Sequence, residues 1–128
     1  MSAMSDYLEN EILDHILATA SYTAPATVYV GLSTGSFGDD NSGTELSGSG
    51  YGRVAASFGV AASGTASNDA AIEFSAATGS WGTVSHFGLF DASSSGNLLI
   101  HGALTSSKVI ETGDILKVAV GDMDISAD

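Results

Sequence analysis

Short apolar runs with a period of two dominate the chain after Pro25, and they constrain its fold more than any other feature. In TVYVGLS, residues 27–33, every second side chain from Val28 to Leu32 is a branched aliphatic one. Successive side chains of a strand point to opposite faces of a sheet, so this run predicts a strand. Similar runs predict strands at 51–60, 71–76, 82–92, 97–105 and 123–126.

The composition favours the same fold class. Gly accounts for 16 residues and Ser, Thr and Ala are abundant, whereas Lys and Arg together number only 3. Short strands of small residues joined by Gly- and Ser-rich turns are typical of sandwiches and barrels. The length of 128 residues fits one domain. We therefore expect a mainly β single domain over residues 1–128: an antiparallel β-sandwich or jelly-roll-like domain of about seven strands with one N-terminal amphipathic helix.

The segment GTVSHFGLFDA, residues 82–92, is apolar on both faces of its predicted strand. Strict alternation places Val84 and Phe90 on one face, with Phe87 and Leu89 on the other. A strand that is apolar on both sides is typical of the middle of a sheet with cover on each face. Residues 82–92 are therefore predicted to form a central strand.

Turn-forming residues indicate how the strands of the β region, residues 27–126, are connected. The turn SSSGN at 93–97 makes 97–105 the hairpin partner of the central strand, and 108–122 is predicted to form a further hairpin. The segment TGSFGDDNSGTELSGSG, 34–50, has few large apolar side chains, so we expect a long surface loop or a mobile hairpin tip. Loops of this length are uncommon unless they have a function.

The segment DYLENEILDHIL opens a predicted helix over residues 6–18, since its apolar residues recur at helical spacing. Asp6 is the expected N-cap, with Glu9 completing a capping box, and Pro25 rules out a longer helix. The apolar side chains form one stripe, which we expect to pack against the sheet or to dock onto a neighbouring protein. This candidate interaction surface consists of Leu8, Ile12, Leu13, Ile16 and Leu17.

Three polar residues of the same helix, Glu11, Asp14 and His15, raise the alternative of a metal or acid–base site. Glu11 and His15 are one turn apart and lie on one face, as an i,i+4 ligand pair requires. At about 100° per residue, however, all three fall opposite the apolar stripe or at its edge. We interpret them as the solvated face of an amphipathic helix.

Two further groups have side chains that bind metals elsewhere. His86 and His101 fall on adjacent predicted strands, where two histidines can bind zinc or transfer protons. The acids of DDNSGTE, 39–45, can hold calcium through oxygens, but Gly43 and the following Thr depart from the EF-hand pattern. We interpret the histidines as hydrogen-bonded structural residues and the acidic segment as a polar turn.

The remaining motifs also favour structural roles. In GSGYGR, 48–53, Arg53 stands where a dinucleotide fingerprint needs Gly, so no nucleotide site is supported. The aromatic residues Trp81, Phe87 and Phe90 can stack on a carbohydrate, but in a β domain of this size we expect them in the core. We predict no catalytic residue, no metal site and no cofactor.

The net charge of −12 limits the classes of partner. Arg53, Lys108 and Lys117 are the only basic residues besides histidine, whereas nucleic acids and anionic membranes attract clustered cations. We therefore expect neither partner. The N-terminal residues lack the cations and apolar segment of a signal peptide, and no apolar run reaches the length of a membrane span.

Several segments resemble a family of small bacteriophage virion proteins commonly labelled tail fibre proteins. These are the helix with the ATASYTAPATVYVGLSTG that follows it, GTELSGSGYGR at 43–53, and FSAATGSWGTVSHFGLFDASSSGNLLIHGALTSSK at 74–108. The resemblance follows the chain in order over nearly its whole length. It implies a phage particle component, offers no catalytic residues, and implies structural roles for Tyr51, Arg53 and Trp81.

We therefore predict a non-enzymatic virion structural protein, assembled in the host cytoplasm, that acts in the tail or its fibres in assembly or attachment. Its expected partners are other virion proteins and further copies of itself, since particle proteins act in symmetric sets. A capsid decoration, or cement, protein that stabilises the phage head is the first alternative. A carbohydrate- or metal-binding module is a more remote one.

Overall fold

The computed structural model describes residues 2–127, and within this range it contains one helix and nine strands. In chain order they are β1 (Ser2–Met4), α1 (Asp6–Ile16), β2 (Val28–Ser33), β3 (Val54–Ala56), β4 (Thr65–Ser67), β5 (Ile72–Glu73), β6 (Gly82–Phe90), β7 (Leu98–Ile110), β8 (Lys117–Val118) and β9 (Asp124–Ser126). The predicted mainly β fold with one N-terminal helix is confirmed. There are more strands than predicted, because several are only two or three residues long.

Five strands form one antiparallel sheet in the order β1-β7-β6-β2-β3. Two antiparallel ribbons, β4-β9 and β5-β8, contribute apolar side chains to the core that covers one face of this sheet. The arrangement is that of a sandwich whose second layer consists of two short ribbons.

The larger hydrophobic core lies between these two layers. Register places Val30 opposite Leu89 and Leu32 opposite Phe87, so all four side chains point to the same face of the sheet. Strands β5, β8 and β9 and their flanking segments close the core from the other side. Its buried members are Val30, Leu32, Ile72, Phe74, Ala77, Trp81, Val84, Phe87, Leu89, Ile110, Leu116, Met123 and Ile125.

On the opposite face, two glycines lie side by side in the middle of the sheet. Gly31 of β2 pairs directly with Gly88 of β6. A Cβ atom at Gly31 would lie 2.7 Å from Glu45 Oε2, and one at Gly88 would lie 2.9 Å from Leu98 Cδ1. Real Cβ atoms do not approach other atoms so closely, so a larger residue at either position would have to displace these side chains. We refer to the shallow depression above Gly31 and Gly88 as the glycine trough.

The segment 34–50 is a long loop at the surface, as the first of the two predicted alternatives has it, and part of it packs over the glycine trough. Phe37 is only 1% exposed and forms a second, smaller core with Phe90 and Leu98. The rings of Phe37 and Phe90 meet edge to face, with centroids 5.6 Å apart. Backbone hydrogen bonds from Gly43 N to Phe37 O and from Leu46 N to Leu32 O fix the path of the segment. One buried aromatic side chain thus anchors a loop that otherwise reads as polar.

An irregularity in the pairing of β6 with β7 determines which of the two cores contains Val84. Val84 lies opposite Lys108, whereas His86 lies opposite Ala103, so β7 carries extra residues between these pairs. This bulge breaks the alternation of faces, and Val84 joins Phe87 in the larger core. The prediction that Val84 shares a face with Phe90 is wrong, while the central position of the strand, covered on both sides, is confirmed.

The predicted hairpin over 108–122 is also wrong. Strand β7 continues to Ile110, because its end pairs with the start of β6 at Gly82. The turn at 111–114 does form, with a hydrogen bond of 3.0 Å from Asp114 N to Glu111 O. The chain then crosses to the other layer, where β8 pairs with β5 instead of folding back on β7.

Two strands were not predicted, β1 before the helix and β4 in the turn after β3. Ser2 of β1 pairs with Gly102 of β7, and Ala66 of β4 pairs with Ile125 of β9. The β region therefore starts ahead of the helix, and the predicted strand at 123–126 is confirmed at Asp124–Ser126. Three-residue strands are too short to show a period.

The first and last strands also meet each other. Ser126 N donates a hydrogen bond of 2.9 Å to Ser2 Oγ, and Ser2 Oγ lies 3.3 Å from Ser126 O. The Ser2 side chain is buried at this junction. Residues 2 and 126 therefore lie at one corner of the sandwich.

Candidate functional site

The helix is fixed to the sheet through its first residues. Ser5 is the N-cap: its hydroxyl oxygen accepts a hydrogen bond from Leu8 N at 3.2 Å and donates one to Leu98 O at 2.5 Å. Ser5 N donates to Leu99 O at 2.8 Å. The prediction that Asp6 is the N-cap and forms a capping box with Glu9 is wrong by one residue. Ser5 is the N-cap instead, because β7 supplies an acceptor for its hydroxyl group.

The body of the helix presents only part of its apolar stripe to the domain. Leu8 is 8% exposed and Ile12 is half-buried, whereas Leu13, Ile16 and Leu17 are 55%, 70% and 67% exposed. The predicted packing of the stripe against the sheet therefore holds for its first members only. Helix α1 spans Asp6–Ile16 rather than 6–18, with Leu17 as its C-cap.

Glu11, Asp14 and His15 do not form a joint site. Asp14 Oδ1 accepts a hydrogen bond from Thr19 Oγ1 at 3.0 Å, and His15 Nδ1 accepts one from Tyr22 N at 3.2 Å. Both contacts hold the residues that follow the helix close to its last turn. Asp14 and His15 are exposed as predicted, whereas Glu11 is half-buried on the side that faces the domain.

A prediction about stability follows from the two sides of the helix. We expect Leu8→Ala to lower the free energy of unfolding by about 2–3 kcal/mol, because it leaves a cavity under the helix. Leu13→Ala should change it by less than about 0.5 kcal/mol, because the side chain is already in water. Urea unfolding followed by circular dichroism measures both. Equal losses for the two variants would contradict the orientation of the helix.

His86 and His101 share one face of the sheet, but each has its own partner. His101 Nε2 lies 2.7 Å from Asp39 Oδ1, and His86 Nδ1 lies 2.7 Å from Ser85 Oγ. His101 thereby ties the 34–50 segment to β7. The histidines are partly buried and hydrogen-bonded, as predicted. Within residues 2–127, no group of three or more His, Asp or Glu side chains is placed to hold a metal ion.

The acids of the 39–45 segment diverge from one another. Asp39 pairs with His101, whereas Asp40 Oδ1 accepts a hydrogen bond from Ser42 N at 3.1 Å. The hydrogen bonds from Ser42 lower the pKa of the Asp40 carboxyl. Glu45 Oε2 instead lies over Gly31 in the glycine trough. These oxygens do not converge on one point, as calcium coordination requires.

The best-organised polar group of the fold consists of Glu45, Tyr51 and Arg53, here called the Glu45–Tyr51–Arg53 cluster. Arg53 Nε and Nη2 donate to the two carboxylate oxygens of Glu45 at 2.9 and 2.8 Å. Tyr51 Oη donates to Glu45 Oε2 at 2.5 Å and accepts from Leu32 N at 2.9 Å. A fork-to-fork arginine–carboxylate pair of this kind is among the strong charge-assisted contacts in proteins.

Arg53 also holds the turn between β6 and β7. Its Nη1 atom donates to Ala92 O at 2.9 Å and to Ser95 O at 2.7 Å, and its guanidinium carbon lies 3.6 Å from the centroid of the Phe90 ring. The side chain is only 7% exposed. The cluster thus joins the 34–50 segment, strand β2 and the 91–97 turn in one network. A fully hydrogen-bonded network of this kind rigidifies the segments that it joins.

The Tyr51 hydroxyl gives the cluster a predicted dependence on pH. Burial, reinforced by the hydrogen bond to Glu45, raises the pKa of Tyr51 above its ordinary value of 10.0. The unfolded chain ionises this tyrosine near pH 10.0, while the folded chain keeps the proton. Unfolding therefore releases a proton above that pH, and stability should fall as the pH rises past it.

Denaturant midpoints measured between about pH 9 and 11 check this expectation. Tyr51→Phe should lower stability at neutral pH, because it removes two hydrogen bonds, but should flatten the alkaline decline. Partial burial also raises the pKa of Tyr7 and of Tyr22, so only the difference between wild type and Tyr51→Phe reports on the cluster. Parallel declines in the two proteins would contradict the assignment.

The three candidate stacking aromatics are in the core, as predicted. Trp81, Phe87 and Phe90 are all buried, and Trp81 Nε1 donates to Ser49 O at 2.9 Å. Tyr51 and Trp81 meet edge to face with centroids 5.5 Å apart. No aromatic platform for a sugar is built from these residues.

The sequence matches a known protein family. The family described as podophage GP4 fiber I protein gp80 matches residues 3–126. The chain belongs to this family. No curated protein matches it in a sequence search.

Membership of a phage fibre family confirms the family that the sequence resembles and supports a structural role in the phage particle. The matched range includes α1, β2 to β9, all of β1 but its first residue, and the whole Glu45–Tyr51–Arg53 cluster. The structural roles that the resemblance implies for Tyr51, Arg53 and Trp81 agree with their contacts. Within residues 2–127, no helix is long and apolar enough to cross a membrane.

Proposed function

We propose that the protein is a non-enzymatic component of the phage tail fibre that acts in assembly or attachment, in contact with other virion proteins and further copies of itself. The observation that carries this proposal is the match to a podophage fibre family over residues 3–126. The fold supports the proposal, because its strongest polar contacts fix loops to the sheet. The helix with three exposed apolar side chains offers a surface for such contacts.

Cryo-electron microscopy of intact particles tests the location. We expect density that fits the five-stranded sheet and helix at the tail or its fibres. An independent label is a short epitope inserted at Ser63–Gly64, an exposed turn, with antibody binding expected at the tail. Density or label distributed regularly over the head would overturn the tail assignment in favour of a capsid decoration protein.

The non-enzymatic part of the proposal has its own test. Particles carrying His86→Ala and His101→Ala should assemble and infect as the wild type does, apart from lower thermal stability through loss of the contact with Asp39. Zinc and calcium contents of the purified protein should be the same with and without the two histidines. Loss of infection by stable, fully assembled particles would argue for a chemical or binding role of these residues.

A further inference from the structure

We infer that the exposed end of α1 binds a basic amphipathic helix of another virion protein. The surface consists of Leu13, Ile16 and Leu17, and it is here called the helix-end surface. The inference rests on the proposed function, from which it takes the premise that the protein contacts other virion proteins. It adds the chemical class of the partner.

The spacing of the three apolar residues suits a second helix as the partner. Leu13, Ile16 and Leu17 occupy positions i, i+3 and i+4, so they form one compact ridge. Such a ridge fits the grooves between the side chains of another helix, and these grooves are apolar in an amphipathic one. The domain covers Leu8 near the start of the helix, whereas the ridge is more than half exposed.

The charged side chains that border the helix-end surface are acidic. Glu9 is one turn before Leu13 on the same face of the helix, and Asp14 is one turn before Leu17. Both carboxylates are exposed, and so is that of Asp6, which is one turn before Glu9. A helix that lies on the ridge therefore brings its flanking positions close to carboxylates, where Lys or Arg gains and Asp or Glu is repelled.

The helix dipole adds to this negative charge. The C-terminal end of a helix carries a partial negative charge, which Lys or Arg in the last turn commonly offsets. In α1 the only basic residue of the last turn is His15. Its Nδ1 atom accepts a hydrogen bond from Tyr22 N, which requires a ring nitrogen without a proton. The negative end of the dipole thus remains without a cation beside Ile16 and Leu17.

A second copy of the chain does not supply the complementary charge. The chain has only three basic residues besides histidine. Arg53 is 7% exposed and already paired with a carboxylate, and Lys108 and Lys117 share one cleft with two aspartates. Two helix-end surfaces brought together would also place their acids side by side. Charge therefore favours a different protein, rich in Lys or Arg at this contact.

The contact is weak by itself, because three side chains cover far less than the roughly 1,200 Å² that a stable binary interface needs. It becomes effective where a particle holds both partners close together. Nuclear magnetic resonance titration of the isotopically labelled protein detects weak binding and shows which residues are involved.

Three synthetic peptides serve as probes. The first has about 18 residues, enough to form a helix, with Leu along one face and Lys on the flanking positions. In the second, Glu replaces Lys. In the third, the Leu residues of the first are scattered around the helix. We expect the first peptide to shift the amide signals of residues 9–20 and to bind at least about tenfold more tightly than the other two, since it alone matches both the ridge and the acids.

Two variants with matched controls locate the contact. Leu17→Ser and Glu9→Gln should each weaken binding of the Lys peptide about threefold or more. Val60→Ser and Glu111→Gln should leave it unchanged, since Val60 is 99% exposed in another loop and Glu111 follows the end of β7 that lies away from the helix. All four positions are exposed, so the variants should fold, which circular dichroism checks.

Equal affinities for the Lys and Glu peptides, or for the Lys peptide and its scattered counterpart, would overturn the inference. Absence of binding, or binding that Leu17→Ser does not weaken, would do the same. Signals of residues 9–20 that shift as the protein alone is concentrated would assign the surface to a second copy instead. Because these titrations use purified protein, their failure would leave the location on the particle to be decided by imaging.

Discussion

Replacing Arg53 with Ala should lower the free energy of unfolding by about 3 kcal/mol or more, because it breaks a buried ion pair and leaves Glu45 without its partner. The same change strips the carbonyl groups of Ala92 and Ser95 of their donor and uncovers the Phe90 ring. For a domain of this size the expected fall in Tm is roughly 10 °C. Thermal and urea unfolding followed by near-ultraviolet circular dichroism measure it.

Two further variants test whether the loss of stability is specific to the Glu45–Tyr51–Arg53 cluster or follows the removal of any positive charge. Lys117→Ala removes an ion pair whose atoms lie 4.0 Å apart and whose side chains are 58% and 57% exposed, so a change below about 0.5 kcal/mol is expected. Arg53→Lys keeps the charge but loses the forked geometry, and its stability should fall between wild type and Arg53→Ala. If Arg53→Ala and Lys117→Ala were equally mild, the cluster would not be the main fastening of the loops.

Phe37→Ala is the second change for which we expect a large effect, about 3–5 kcal/mol, because it empties the smaller core beneath the 34–50 segment. The edge-to-face contact with Phe90 disappears, and the glycine trough is left open to water. The loss should begin locally, since the larger core lies on the other face of the sheet.

Amide hydrogen exchange shows where the loss falls. The amide hydrogens of Gly43 and Leu46, which bond to the carbonyl groups of Phe37 and Leu32, should exchange much faster in Phe37→Ala. Those at the β2–β6 pairing should keep most of their protection. Val60→Ala, at a 99% exposed position, is the matched control and should alter neither stability nor exchange. Unchanged exchange at Gly43 in Phe37→Ala would show that the loop is held by other contacts.

The parts of the fold that the sequence predicts are those in which one segment carries the whole signal. Strand β2 shows its period in six residues, and the helix shows an apolar stripe over three turns. The core positions of Trp81 and Phe90 follow from the size of these side chains in a small β domain. Membership of a phage fibre family agrees with the resemblance of whole segments rather than of any single residue.

The parts that were predicted wrongly depend on contacts between distant segments. Alternation alone put Val84 with Phe90, but the bulge against β7 is a property of the pair of strands. Ser5 caps the helix because the carbonyl group of Leu98, more than ninety residues away, accepts its hydroxyl hydrogen. The segment 108–122 contains a real turn, yet the choice of β5 as partner for β8 is made in three dimensions.

Only part of the candidate site can be predicted from the sequence. Four of the five stripe residues lie in the helix and Leu17 is its C-cap, but only the orientation of the helix divides them into a packed and an exposed set. The Glu45–Tyr51–Arg53 cluster has a faint signal in the sequence, since Arg53 is one of only 3 basic residues in the chain. The depression that receives Glu45 depends on Gly31 lying opposite Gly88, which no local pattern reveals.

The hydrogen bonds between Ser2 and Ser126 also determine how the domain responds to mechanical tension. Because these residues lie at one corner, a load applied to them does not run through the length of the five-stranded sheet. It opens the serine contact first and then peels β1 from β7 one residue pair after another, which takes less force than shearing all pairs together. Under tension the domain would yield at this corner while its two cores stay closed.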